Sequence, residues 1–164
     1  MHIVGLISDT HIPSKARAIP PKVFEVFHEA MLIVHAGDFT QFSVLKDLEQ
    51  LAPVVAVSGN MDEPIVQEKL PKMNSVDIDR WRIGVTHNLG AFSNMKKMRR
   101  IAEQNNFHVL VFGHTHRSFV KREGNIWFIN PGSPTNPMPP FIVKPTICLL
   151  KVSGDKIEPE IVQI

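Results

Sequence analysis

Apolar residues along this chain come first in short unbroken runs and later in alternation. His2-Ile3-Val4-Gly5-Leu6-Ile7 is nearly continuous and predicts a strand buried on both faces. Val23, Phe24, Val26, Phe27, Ala30 and Met31 recur at helical spacing, and Pro20-Pro21 suits the start of that helix. Leu32-Ile33-Val34 predicts a second buried strand. Thr40 is placed to cap a helix whose stripe is Val44, Leu45, Leu48 and Leu51. Val54-Val55-Ala56-Val57 predicts a third strand. Strand, helix, strand, helix, strand is the signature of a parallel sheet covered by helices.

The pattern then changes. Val76 and Ile78 alternate with polar neighbours, Asp79-Arg80 can turn, and Trp81, Ile83 and Val85 alternate again, which predicts a hairpin. A helix around Asn94–Gln104 places Met95, Met98, Ile101 and Ala102 on one face. Lys96, Lys97, Arg99 and Arg100 fall off that stripe and read as a solvated face. His108–Phe112 is another buried run. Gly124-Asn125 is a tight-turn signal between Arg117–Glu123 and Ile126–Asn130. Two last strands, near Pro145–Lys151 and Lys156–Val162, bracket Ser153-Gly154-Asp155, and Pro131–Pro140 reads as a long irregular loop. The expected architecture is an α/β layered domain over residues 1–164, with mixed sheets packed face to face between helices.

Composition narrows the class without naming a chemistry. With 164 residues, 43% hydrophobic and 21% charged, the chain has the make-up of one globular domain. A formal charge of +2 gives no strong nucleic-acid signal and no membrane signal. No apolar run approaches membrane-spanning length. Cys148 is the only cysteine, so no internal disulfide can form, and a reduced, cytoplasmic setting is expected. An exposed hairpin edge offers one route to a homo-oligomer.

The polar residues carry the chemistry. The first strand ends in Ser8-Asp9-Thr10-His11, the second in His35-Ala36-Gly37-Asp38 and the third in Ser58-Gly59-Asn60-Met61-Asp62. Val85 leads into Thr86-His87-Asn88, and Phe112 into Gly113-His114-Thr115-His116. Carboxyl ends of strands in α/β sheets form one rim, where ligands bind. Asp9, Asp38, Asn60, His11, His87, His114 and His116 are therefore candidates to converge. Two carboxylates, one amide oxygen and four imidazoles are too many ligands for one ion and about right for two that share a bridge. A carboxylate can bridge two metals and an imidazole cannot. The mix favours two divalent transition-metal ions, manganese first, with nickel, iron, cobalt or zinc as alternatives; four histidines argue against magnesium. Such a site has net positive charge and attracts a phosphate anion.

With these residues in place, the chain resembles the calcineurin-like metallophosphoesterase superfamily. It is most similar to the minimal single-domain branch of prokaryotic phosphodiesterases, which also includes a retromer-complex subunit. The matching motifs are Asp9-x-His11, Gly37-Asp38, Gly59-Asn60-x-Asp62, His87, Gly113-His114-x-His116 and Asn130-Pro131-Gly132-Ser133. The resemblance implies a four-layer α-β-β-α sandwich of two mixed sheets flanked by helices. It implies that Asp9, His11 and His116 hold one metal, that Asn60, His87 and His114 hold the other, and that Asp38 bridges them. The implied function is a phosphodiesterase acting on a small phosphoester, with in-line attack by a metal-bridging hydroxide and no catalytic side chain beyond the metal ligands. Two positions depart from the family pattern. Met61 stands where many family nucleases have a histidine, and His87-Asn88-Leu89 replaces a His-Gly-His.

Several residues have plainer readings. His35, just before the Gly-Asp pair, either orients a ligand or is a hydrogen-bonded strand-end residue. Asp62 reads as fastening its loop, or a ligand histidine, and the Asn-Pro-Gly-Ser run as a turn beside the site. The competing function is a weakly active or inactive phosphoesterase-fold protein that serves as an interaction scaffold, and the departures at Met61, Asn88 and Leu89 motivate it. A nuclease is less well supported, because the net charge is small and Met61 cannot protonate a leaving group.

Overall fold

The first apolar run forms β1 (His2–Ile7), and its alternation decides two layers at once. Val4 and Leu6 join one core cluster while Ile7 joins another. Between them Gly5 leaves room for a ring: a Cβ at Gly5 would sit 2.9 Å from Phe27 Cδ1. Phe27 belongs to α1 (Pro21–Phe27) and is fully buried, a contribution of about 2–3 kcal/mol from one aromatic side chain. β2 (Leu32–His35), α2 (Phe42–Glu49) and β3 (Val54–Ala56) complete the parallel unit, with β1, β2 and β3 adjacent and parallel. The short α3 (Pro64–Lys69) follows.

A computed structural model describes residues 1–88, 94–138 and 143–164. Leu89, and Pro139 and Pro140 of the long loop, lie outside the described residues. The second half forms the hairpin β4 (Met73–Ile78) and β5 (Trp81–Thr86), then α4 (Met95–Gln104) and β6 (Val109–Val111). The hairpin β7 (Ser118–Glu123) and β8 (Ile126–Pro131) comes next, then β9 (Thr146–Ser153) and β10 (Lys156–Gln163). Gly124 turns the β7–β8 hairpin at φ +60°, as the tight-turn signal required.

Two mixed five-stranded sheets result, in the orders β10-β9-β1-β2-β3 and β4-β5-β6-β8-β7. Val4, Leu6, Val34 and Leu150 of the first meet Ile83, Val85, Val109, Val111 and Ile129 of the second in one buried cluster, so the sheets pack face to face. The outer face of the first sheet is covered by α1, α2 and α3 through Val23, Phe27, Leu48 and Val66. The outer face of the second is covered by α4 through Met98 and Ala102, against Phe107, Leu110 and Phe128. This is the expected helix–sheet–sheet–helix layering.

Three local expectations are corrected. The first helix stops at Phe27 rather than running to Met31, because the Met31 N–H is already bonded to the Ile3 carbonyl beside β1 (2.9 Å). Thr40 does not cap α2; Gln41 occupies that place without a side-chain bond. Thr40 is instead held at φ +80°, its N–H bonded to Asp62 Oδ1 (2.6 Å), and its buried hydroxyl has no hydrogen-bond partner. The sequence does not announce helix α3, since its apolar residues Ile65 and Val66 are adjacent and make no helical period, and only Val66 is buried. By contrast, α4 falls where the sequence places a helix, and Asn94 caps it, its Oδ1 accepting the Lys97 N–H at 3.0 Å.

Candidate metal centre

Five strand ends meet at one rim. From the first sheet come Asp9 and His11 after β1, Asp38 after β2 and Asn60 after β3. From the second come His87 after β5, and His114 and His116 after β6. Their backbone departs sharply from the strands: Asp9, His11, Asp38, His114 and His116 all have positive φ, between +45° and +71°. Each such residue costs on the order of 1–2 kcal/mol without compensation. The compensation is a lattice of backbone bonds. Asp9 N–H donates to the Gly37 carbonyl and His11 N–H to the Asp38 carbonyl, both at 3.0 Å. His114 N–H donates to Asp9 Oδ2 at 3.0 Å.

The side chains form two groups, each drawn from both sheets. Asp9, His11 and His116 bring ligand atoms within 4.8 Å of one another, and so do Asp38, His87 and His114. In the first group His11 Nε2 lies 3.2 Å from His116 Nε2, which lies 3.3 Å from Asp9 Oδ1. In the second His87 Nε2 lies 3.1 Å from Asp38 Oδ2, and Asn60 Oδ1 stands 3.0 Å from His87 Nε2 and 3.1 Å from His114 Nδ1. Asp38 Oδ2 is also 3.9 Å from His11 Nε2, so it lies between the groups. Asp38 Oδ1 faces elsewhere, accepting the Met61 N–H at 2.7 Å.

Proton positions test whether these residues fit metal. His87 Nδ1 lies 2.8 Å from the Ala36 carbonyl, which can only accept, so Nδ1 carries the proton. The Nε2 lone pair of neutral His87 then faces the oxygens of Asp38 and Asn60. His116 repeats the arrangement, with Nδ1 2.6 Å from the Asn136 carbonyl and Nε2 turned to Asp9 and His11. Acceptors facing acceptors at 3.0–3.3 Å repel unless positive charge lies between them. The donor set fits a pair of divalent cations.

Protons compete for the same atoms. Burial lifts the Asp9 carboxyl to about 6, against the pull of His87, Ser8 and His116. Burial also pushes Asp38 up, but the His87 bond and charge, the Met61 N–H and His11 outweigh it and leave it below the ordinary range. Burial disfavours the His87 cation, yet Asp38, Asp9 and the Ala36 carbonyl raise its pKa overall. Metal ligation requires the carboxylate of Asp9 and a free His87 Nε2, so protons compete with cations at both. Lowering the pH through about 6 therefore protonates Asp9 and weakens binding. Calorimetric titration with Mn²⁺ should show affinity falling by roughly tenfold or more between pH 7.5 and 5.5, with proton release on binding. An affinity independent of pH across that window would exclude Asp9 and His87 as ligands.

The surrounding residues hold the ligand loops. His35 is fully buried; its Nδ1 accepts the Gly37 N–H at 3.2 Å and its Nε2 reaches Thr10 Oγ1 at 3.3 Å. Burial drives its pKa down to about 3, so it stays neutral. Asp62 accepts three backbone N–H groups, from Gly59 (2.7 Å), Thr40 (2.6 Å) and Asp38 (3.2 Å), and so ties the β2 and β3 exits together. Ser133 Oγ donates to the Asp9 carbonyl (2.7 Å), and Asn130 Nδ2 donates to the Gly113 carbonyl (2.9 Å). The Asn-Pro-Gly-Ser run thus buttresses the strand exits. Two contributors left no mark in the sequence. Ser8 Oγ donates to Asp9 Oδ2 at 2.6 Å, and Asn136 acts on His116 through a backbone carbonyl, which any residue could supply.

Comparison with known proteins follows the geometry. The profile of the calcineurin-like phosphoesterase superfamily domain matches residues 1–155. A protein of Methanothermobacter thermautotrophicus named "Probable metallophosphoesterase" is 37% identical over 162 residues, 98% of this chain and 92% of that protein. A phosphodiesterase of Methanocaldococcus jannaschii is 30% identical over 145 residues, 79% of this chain and 82% of its own. Among solved structures, vacuolar protein sorting 29 from Cryptosporidium parvum superposes with a TM-score of 0.89 at 22% identity, over 99% of this chain and 91% of that one.

Proposed function

The chain belongs to the calcineurin-like phosphoesterase superfamily, and from that premise we propose that it is a two-metal phosphodiesterase. Asp9, His11 and His116 would hold one divalent transition-metal ion, Asn60, His87 and His114 would hold the other, and Asp38 would be shared between them. The observation that carries this reading is the set of opposed lone pairs, His87 Nε2 against Asp38 and Asn60 and His116 Nε2 against Asp9. When bound, two such ions, manganese first among the candidates, supply an activated water and a charge clamp for in-line displacement at phosphorus.

The side chains set the stage for that chemistry. Met61 N–H holds Asp38 Oδ1, which leaves Oδ2 facing His87 and His11, one from each ligand group. The Ala36 and Asn136 carbonyls fix the tautomers of His87 and His116, so their Nε2 atoms face inward before any ligand arrives. Two carboxylates against two dications leave a net +2 that draws an anionic ester. The Met61 side chain cannot give a proton to a leaving alcohol, so esters of acidic alcohols, such as aryl diesters, are the best substrates.

The test is direct. Protein stripped with chelator and reloaded with Mn²⁺ should hold two ions per chain by elemental analysis and turn over bis(p-nitrophenyl) phosphate; the stripped form should not. A loaded protein inert toward a panel of phosphodiesters and monoesters would defeat the proposal. One observation favours a second reading: Met61, beside the ligand Asn60, is 60% exposed, an apolar side chain at the rim of a fold shared with vacuolar protein sorting 29. Absent turnover combined with a stoichiometric protein partner would establish a scaffold instead.

A further inference from the structure

Beside the Asn60/His87 half of the centre a cavity of about 290 Å³ opens, lined by Ser58, Gly59, Asn60, Lys72, Thr86, His87 and Asn88. It lies at the lower end of the size range of small-molecule sites, about 300–1,000 Å³. Two of its lining residues are candidate metal ligands, so a group seated there is contiguous with anything bound at the metals. Among the described residues that line it, Lys72 is the only lysine or arginine.

Lys72 is held at this wall by its backbone. Thr86 Oγ1, one residue before His87, donates to the Lys72 carbonyl at 3.0 Å. Ser58 N–H, two residues before Asn60, donates to the Pro71 carbonyl at 3.0 Å. The segment is therefore pinned between the exits of β3 and β5, the same two exits that deliver Asn60 and His87. The side chain is exposed and only loosely held: its Nζ lies 3.5 Å from Gln67 Oε1, at the outer limit of a hydrogen bond. An exposed ammonium on the wall of a small cavity that adjoins the candidate metal centre is placed for recognition. It pairs with a second negative charge on a ligand whose first is held by the metals.

We propose that Lys72 selects substrates that carry a second anionic group, a carboxylate or further phosphate, on the esterified moiety that occupies this cavity. The proposal rests on the two-metal reading above and adds a substrate class to it. Its chemistry is recognition only; no bond is made or broken at Lys72.

Two non-hydrolysable ligands test it by calorimetry on the metal-loaded protein: propylphosphonate and 3-phosphonopropionate, which differ by one carboxylate. The native protein should bind 3-phosphonopropionate roughly tenfold more tightly, the scale of one charge-assisted contact. Lys72→Met should erase that preference and Lys72→Arg should keep it. Both variants retain the Thr86 bond, which uses only backbone. Equal affinities in the native protein, or a preference that survives Lys72→Met, would overturn the role of Lys72 while leaving the phosphodiesterase intact. Failure of either phosphonate to bind would instead overturn the metal reading, and this inference with it.

Discussion

Asp38→Asn should leave a folded protein that binds at most one metal ion per chain and hydrolyses phosphodiesters on the order of 10³-fold more slowly, about 4 kcal/mol of lost barrier reduction. The argument turns on the two oxygens of Asp38. Oδ1 accepts the Met61 N–H, and an asparagine oxygen can take over that bond. Oδ2 lies 3.1 Å from His87 Nε2 and 3.9 Å from His11 Nε2. An amide NH₂ in its place donates to the His87 lone pair, which satisfies the ring without a cation and removes the negative charge that two cations would share. Asp38→Ala removes the charge as well but leaves the Met61 N–H without its acceptor, so the asparagine variant separates ligation from folding. Elemental analysis with steady-state kinetics on Asp38→Asn decides the matter. Two tightly held ions and native turnover would place the bridge elsewhere.

The second large effect is steric. A Cβ at Gly59 would fall on Asp38 Oδ1 and come within 2.7 Å of Asp38 Cγ, with the Asp38 backbone nitrogen beside it. The carboxylate is short and held by the Met61 N–H, and the backbone nitrogen cannot swing aside. Gly59 has no positive φ, so alanine meets no backbone penalty there and the whole effect is the clash. Gly59→Ala should cost about 1–3 kcal/mol in denaturant unfolding, the usual scale of overpacking. It should also weaken metal binding by about 10–100-fold, since the shared carboxylate must move. Gly124→Ala is the control. Nothing lies within 4 Å of its added methyl and its φ is +60°, so it should lose about 1 kcal/mol to strain and leave metal affinity alone. Equal metal affinities for the native and Gly59→Ala proteins would show that Asp38 does not take part in ligation.

Much of the layout was legible because the informative residues sit where strong patterns end. Val4–Ile7, Leu32–His35 and Val109–Val111 are short apolar runs that only a buried strand explains, and Asp9, Asp38 and His114 follow them directly. Thr40 misled for a tertiary reason. Its residue type suits a helix cap, but three N–H groups converge on Asp62 from elements far apart in the chain, and they pull Thr40 into a left-handed conformation. The helix α3 buries too little to leave a period. Lys72 reads in sequence as one more surface lysine. Its place beside Asn60 and His87 depends on how the exits of β3 and β5 bracket residues 70–72, which no local pattern encodes.

One feature of the rim reaches beyond catalysis. Each ligand group takes members from both sheets: Asp9 and His11 against His116, and Asp38 against His87 and His114. Elsewhere the sheets touch mainly through apolar faces, which resist separation but direct little against sliding, with a few polar ties such as Trp81 Nε1–H to the Gly154 carbonyl at 2.9 Å. Cations held across that seam would act as a clasp, adding directional ties between two slabs whose shared face is largely greasy.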